Sequence, residues 1–304
     1  MSAGGTCLNG GVRYILFVLA AAILFGTNGT SQAFAPAGAS SLSIGMARLG
    51  IGGVVLGLIG GVSWWRGRHQ FGRPTWRMVL AVAVGAACVL GYQATFFAGT
   101  RTAGVLVGTM IALGCTSPFA GLIEWIVLRR WPTARWGIAT VVAVAGVLAL
   151  SWTTGAELHA DLAGVLLALA AGATNAGLTV AMKYLLDRGW RYDLVLAATL
   201  GAGGLVALAV LPATGTSWLA EPRGIAVMAW LAFVTLAAAS LLMVKGLSGL
   251  SAAATTTVGL AEPATASLLG TLVLSEPMTP LRAIGVAAVV AGVLVIGLAR
   301  PKKT

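Results

Sequence analysis

Charge is scarce in this chain. Only 9% of its 304 residues are Asp, Glu, Lys or Arg, while 58% are hydrophobic. A soluble domain carries about 25% charged residues to face water. A water-soluble globule is therefore excluded, and a lipid bilayer must serve as solvent. Cysteine is sparse too: Cys7, Cys88 and Cys115 form an odd, scattered set without metal-ligand spacing. That excludes a disulfide framework. The two histidines, His69 and His159, fall in loops on opposite sides of the expected topology. There is no His-Glu-x-x-His, no Gly-Asp aspartyl pair within an apolar run and no phosphate-binding loop. The stretch "GLSG" (Gly246 to Gly249) has the shape of an intramembrane serine-protease motif, but no base stands near Ser248. That serine is expected to cap the ninth helix. An enzyme, a metal site and a cofactor are thus not expected.

Glycine is abundant, with 42 copies, as suits helices that pack backbone to backbone in a membrane. Ten apolar segments are expected, at about 13–34, 41–65, 76–99, 102–128, 134–153, 161–183, 192–212, 224–244, 249–274 and 280–299. The first could mimic a signal peptide, but its apolar run is too long and lacks a cleavage site, so it is read as a span. With the N-terminus inside, the cytoplasmic loops collect 15 Lys and Arg and the outer loops three (Arg101, Arg223, Arg282), with Arg48 inside a span. An error in the number of spans would scramble that asymmetry, so ten spans and cytoplasmic termini support each other. Trp64, Trp65, Trp76, Trp131, Trp136 and Trp190 stand near the expected inner boundaries as an aromatic belt. The formal charge of +11 is then a loop bias. Nucleic acid is not an expected partner.

The chain also repeats itself. "RTAGVLVGTMIALGCTSPFAG" from Arg101 aligns with "GLSGLSAAATTTVGLAEPATAS" from Gly246. Pro118 falls on Pro263, Gly114 on Gly259 and Gly104 on Gly249, at a constant offset of 145 residues. Thr27-Asn28 matches Thr174-Asn175, and "AGVLAL" from Ala145 matches "AGVLVI" from Ala291. Two five-span units result, 1–153 and 154–304. Because five is odd, the second must enter the membrane upside down. The loops agree: "RRWPTAR" is basic, and its counterpart "SEPMTP" is acidic. Inverted repeats of this kind are an architecture of secondary transporters, with the substrate site at the repeat interface near mid-membrane.

The stretch "LAEPATASLLGTLVLSEPMTPLRAIGVAAVVAGVLVIGL" resembles the closing part of the EamA type of the drug/metabolite transporter superfamily, with its two Glu-Pro pairs and Gly-rich last helix. Arg48 in "IGMARLGIGG" matches that family's Arg in the second helix. The first repeat departs from the pattern, with Ser117 before Pro118 and Arg130-Trp131 where a loop Glu would stand. Over the whole chain the similarity is greatest to the YddG-type amino-acid exporters. The resemblance implies an all-α, ten-helix membrane protein of the inner (plasma) membrane, exporting amino acids, with aromatic and other neutral ones favoured. Relatives also move drugs, nucleotide sugars and other metabolites.

A few polar residues lie at membrane depth, where ionisable groups are costly and normally face a bundle interior or wet cavity. Glu262 shares a helical face with Thr255, Val258, Gly259 and Ala266. Pro263 removes a backbone donor one turn after Gly259, and Pro118 does the same after Gly114; both are expected helix breaks. Glu262 could hold a substrate ammonium or a proton, or could tie the repeat together. Asn28 and Asn175, at matching places, offer donors and acceptors to a zwitterion, or could glue helices. Tyr92, Gln93 and Phe96 could line a pocket for an apolar side chain. Met110 and Ser117, counterparts of Thr255 and Glu262, should border the same cavity, with Ser240 a further contact. Arg48 could snorkel to the outer interface or anchor a substrate carboxylate. Glu124 reads as a boundary charge neutralised by Arg129 or Arg130, Lys183 and Asp187 as an i,i+4 pair, and Gly53, Gly57 and Gly61 as a packing face. Amino acids and the bilayer are the expected partners, with protons a candidate coupling ion and no obligate protein partner. A passive pore or non-transporting subunit is the alternative of another class.

Overall fold

A computed structural model describes residues 5–67, 75–151 and 161–297. His69 and His159 lie outside these, as do the charges at 68, 73, 157, 300, 302 and 303. All regular structure among the described residues is helical. The first six helices are α1 (Gly5–Ala33), α2 (Ser41–Gly67), α3 (Trp76–Thr102), α4 (Val105–Leu128), α5 (Ala134–Ser151) and α6 (Leu162–Leu186). They are followed by α7 (Tyr192–Thr214) and α8 (Pro222–Leu247), then α9 (Ala252–Gly259), α10 (Ala261–Val273) and α11 (Pro280–Gly297). Eight of these are long and apolar enough to cross a membrane, and Ala134–Leu150 is a shorter apolar helix. The chain is a multi-pass membrane protein. Its outer surface carries exposed Leu80, Leu122, Val141, Leu205 and Leu272, which only lipid can cover.

The expected span 249–274 is instead two helices parted at Leu260. Pro263 has no N–H to give the Gly259 carbonyl, and the Leu260 amide turns back to Thr257 O at 3.2 Å. Pro118 has the same effect on Gly114 in principle, yet α4 runs through it uninterrupted. One missing hydrogen bond can be absorbed by a bend, so only the second copy breaks. Ser248 does not cap α9: it donates to Lys245 O at the end of α8, and Ser251 accepts the Ala254 amide at 3.0 Å instead.

Helices meet in a small set of long contacts: α3 along α6, α1 along α8, α4 on α6, α1 on α10, α2 on α7 and α5 on α11. Small residues make them close. A Cβ on Gly146 would stand 2.8 Å from Gly285 O, and one on Gly285 the same distance from Gly146 O. In α2 the packing face is Gly53, Gly57 and Gly60, which meet Leu200, Gly201 and Asp193 of α7, whereas Gly61 faces open space. The steps of four and then three follow 3.6 residues per turn, which uniform spacing by four overruns. Helices α7 and α8 each contain a π-helical stretch, Ala197–Gly201 and Trp230–Ala238. Such widened turns are frequent at functional sites.

Candidate substrate site

Between these helices lies a cavity of about 650 Å³, within the range of small-molecule sites. It reaches the surface at Ser41 and at the loop before α11, where Arg282 pairs with Glu276 at 3.0 Å. At its other end the wall is Met182 and Val244.

Arg48 and Glu262 both line the cavity. Arg48 does not snorkel outward. Its Nη2 donates to Thr235 O at 2.9 Å, and its guanidinium lies 5.9 Å from the centre of the Phe25 ring. Thr235 belongs to the π-helical stretch of α8, whose wider turn leaves that carbonyl able to accept a bond from outside the helix. Arg48 Nε is buried and has no partner. Glu262 sits in the first turn of α10, just past the break at Leu260, and no hydrogen bond or ion pair joins it to the described residues. The two charges feel each other across the cavity but do not form an ion pair. A buried charge normally acquires a partner; here an acid and a base face one space, each with unused valence.

Polar and aromatic groups fill in the walls. Asn28, Gln93, Asn175, Ser240 and Thr255 all line the cavity. Asn28 accepts from Gln32 Nε2 at 3.2 Å, and Gln93 donates to Gly45 O at 3.2 Å. Tyr92 and Phe96 are stacked with centroids 5.3 Å apart, and Phe97 meets Phe96 edge-on at 5.7 Å, so one wall is aromatic.

Met110 and Ser117 do not line the cavity. Both are buried, and Thr109, Leu113 and Thr116 line it in their place. Helix α4 is therefore turned by about one residue from the register the repeat implied. Ser117 joins a buried hydroxyl cluster with Thr140 of α5 and Thr257 of α9: Ser117 bonds Thr257, Thr140 lies 2.9 Å from Thr257, and Ser117 lies 3.4 Å from Thr140. Pro118 is also outside the cavity wall, whereas Pro263 lines it.

Gln32, Thr179 and Ser267 line the cavity and were missed, and Thr256 lines it beside Thr255. Ser267 Oγ is buried without a partner, like Arg48 Nε. Gln32 and Thr179 stand four residues after Asn28 and Asn175, one helical turn along the same face. Extending the paired asparagines by a turn would have found them. Nothing local marks Phe25, which meets Arg48 from another helix.

A helical membrane protein enclosing a small-molecule cavity with Arg48 and Glu262 in its wall fits a transporter. The family comparison is specific: the EamA-like transporter family model matches residues 12–152 and again 162–298. The chain belongs to the EamA-like transporter family, and its internal repeat fits that assignment. It is similar to an uncharacterized transporter, YwfM, of Bacillus subtilis (strain 168), at 38% identity over 292 residues and 96% of each chain. A solved crystal structure shares the fold with a TM-score of 0.75 at 17% identity, covering 93% of this chain and 95% of that one.

Proposed function

We propose that the chain is a plasma-membrane exporter of amino acids, with aromatic and other large neutral ones favoured, working by alternating access. The observation that carries this is the pairing of Arg48 and Glu262 around one cavity. A zwitterion presents a carboxylate and an ammonium. Arg48 offers its guanidinium charge to the first, and Glu262 has free acceptors for the second. The side chain then lies against Tyr92 and Phe96, and Asn28 and Asn175 complete the polar ring. On this reading the chain is a YddG-type exporter within its family. Protons are a candidate coupling ion, carried by Glu262 when no ammonium is bound.

The proposed scaffold is ten spans in two inverted units, 1–153 and 154–304, with both termini cytoplasmic. Helix contacts support it by being reciprocal. If α1 of the first unit corresponds to α6 of the second, α3 on α6 answers α8 on α1, and α4 on α6 answers α10 on α1. Helices α2 and α7, and α5 and α11, pair with their own counterparts. Two packings of similar energy, exchanged by that symmetry, would open the cavity to either side. By the loop charges, the mouth at Ser41 and Glu276 faces outward.

Purified protein in liposomes tests the reading. Saturable flux of a radiolabelled amino acid, competed by other neutral amino acids, is expected. Saturable flux of another metabolite alone would reassign the substrate, and unsaturable flux of unrelated solutes would make the protein a pore. Tags in "RRWPTAR" and "SEPMTP" should lie on opposite membrane faces.

A further inference from the structure

Behind the Met182 and Val244 end of the cavity, outside its wall, stand two buried charges of opposite sign. Both hold the turn between α8 and α9. Glu124, in the last turns of α4, is 3% exposed, and its Oε2 accepts the Ala253 amide at 2.8 Å. Lys183, on α6, is 5% exposed and donates to Leu247 O at 3.2 Å. Leu247 O is a terminal carbonyl of α8, and Ala253 N is a first-turn amide of α9. A cation thus meets a helix C-terminus and an anion a helix N-terminus, each the favourable sense of the helix dipole. Asp187 holds Lys183 from behind at 3.0 Å and is itself held by Arg130 at 2.9 Å. Glu124 is accordingly not neutralised by Arg129 or Arg130, as its sequence position suggested; Arg130 belongs to Asp187.

We propose that Glu124 and Lys183 form a latch on the α8–α9 turn that keeps the far end of the cavity shut and releases it during transport. The proposal rests on the alternating-access reading above. Three observations carry it. First, the wall residues next to the closed end, Met182 and Val244, lie on the helices the latch ties: Met182 precedes Lys183, and Val244 stands one turn before Leu247. Second, α9 is short and ends at the break beside Glu262. A displacement of its first turn is therefore passed to the cavity across a joint rather than along a stiff rod. Third, the latch is incomplete, because Glu124 Oε1 is buried without a partner. A half-satisfied buried carboxylate costs free energy in the closed state, which keeps that state from being too stable to leave. Glu124 and Lys183 are positioning residues: they act on substrate access through the α8–α9 turn.

The test uses full-length protein in membrane vesicles with Cys7, Cys88 and Cys115 replaced by alanine. Reporters are Val244→Cys at the closed end and Ser41→Cys at the mouth, each probed with a membrane-impermeant maleimide from its own side, without substrate. Glu124→Ala and Lys183→Met should raise the Val244→Cys rate about tenfold, as expected for loss of one charge-assisted hydrogen bond, and lower the Ser41→Cys rate. Glu124→Gln keeps an acceptor for Ala253 and should shift both less. If Glu124→Ala does not reach the membrane, Glu124→Gln and Lys183→Met carry the same measurement. An unchanged ratio of the two rates in inserted variants overturns the latch. So does a rise at both reporters together, which is what simple loosening would give. Labelling needs no substrate, so a failed amino-acid assignment leaves this readout intact.

Discussion

Arg48 offers the sharpest test of how a substrate would be held. Replacing it with methionine keeps the unbranched apolar stem and removes the charged guanidinium. In the free protein the change deletes the bond to Thr235 O at 2.9 Å and also a buried donor that has no partner. These losses oppose one another. The stability change should stay within about 2 kcal/mol of zero, because a bond to a charged group contributes about 1.5–3 kcal/mol and an incompletely paired buried charge costs a similar amount. Transport is a different matter. Truncating one side of a buried, hydrogen-bonded charge pair costs about 2–5 kcal/mol, so transport efficiency should fall by at least thirtyfold, since each factor of ten is about 1.4 kcal/mol. Arg48→Lys keeps the charge but loses the planar fork and should recover only part of this. The assay is initial-rate flux in liposomes for two solutes, phenylalanine and the amine left when its carboxyl group is removed. Arg48→Met should impair the first and leave the second nearly unaffected. Such a cycle isolates the coupling between one side chain and one substrate group. If the variant depresses both solutes equally, Arg48 is a structural tie between α2 and α8, and the zwitterion reading fails.

Glu262→Gln should abolish transport, or flatten its dependence on pH, while insertion into the membrane is retained. Wild-type rates with a wild-type pH profile would return the carboxylate to a structural role. Asn28→Ala combined with Asn175→Ala should raise KM about tenfold or more, at about 1 kcal/mol for each lost hydrogen bond; an unchanged KM would make both residues interhelical glue. Gly146→Ala places a Cβ 2.8 Å from Gly285 O and should lower thermal stability by about 1–3 kcal/mol, the usual range for overpacking. Gly137→Ala meets nothing within 4 Å and should be neutral or slightly stabilising; equal effects at the two glycines would refute the close approach of α5 and α11.

Most helix bounds were legible in the sequence, because an apolar run bounded by charge, Pro or Gly is a local signal. Trp76 and Ser41 start helices where the pattern said they would. The break at Leu260 was half legible. Pro263 announced a missing donor, but Pro118 carries the same signal in a helix that does not break, so a proline alone does not decide the outcome. Among cavity residues, those with a polar group in an apolar run could be named in advance. Met110 and Ser117 were named by alignment with the second copy, and the actual turn of α4 about its axis points other residues at the cavity.

What composition and charge order determine is the solvent and the kind of fold: with so few charges the chain needs lipid, and its helices can satisfy their own backbone there. Those are properties of each segment and need no neighbour. Only the tertiary structure decides which buried charge meets which. Arg48 finds a carbonyl 187 residues away on α8, and Glu124 finds an amide 129 residues away on α9. Which charges are left with free valence depends on how helices distant in sequence turn their faces towards one another.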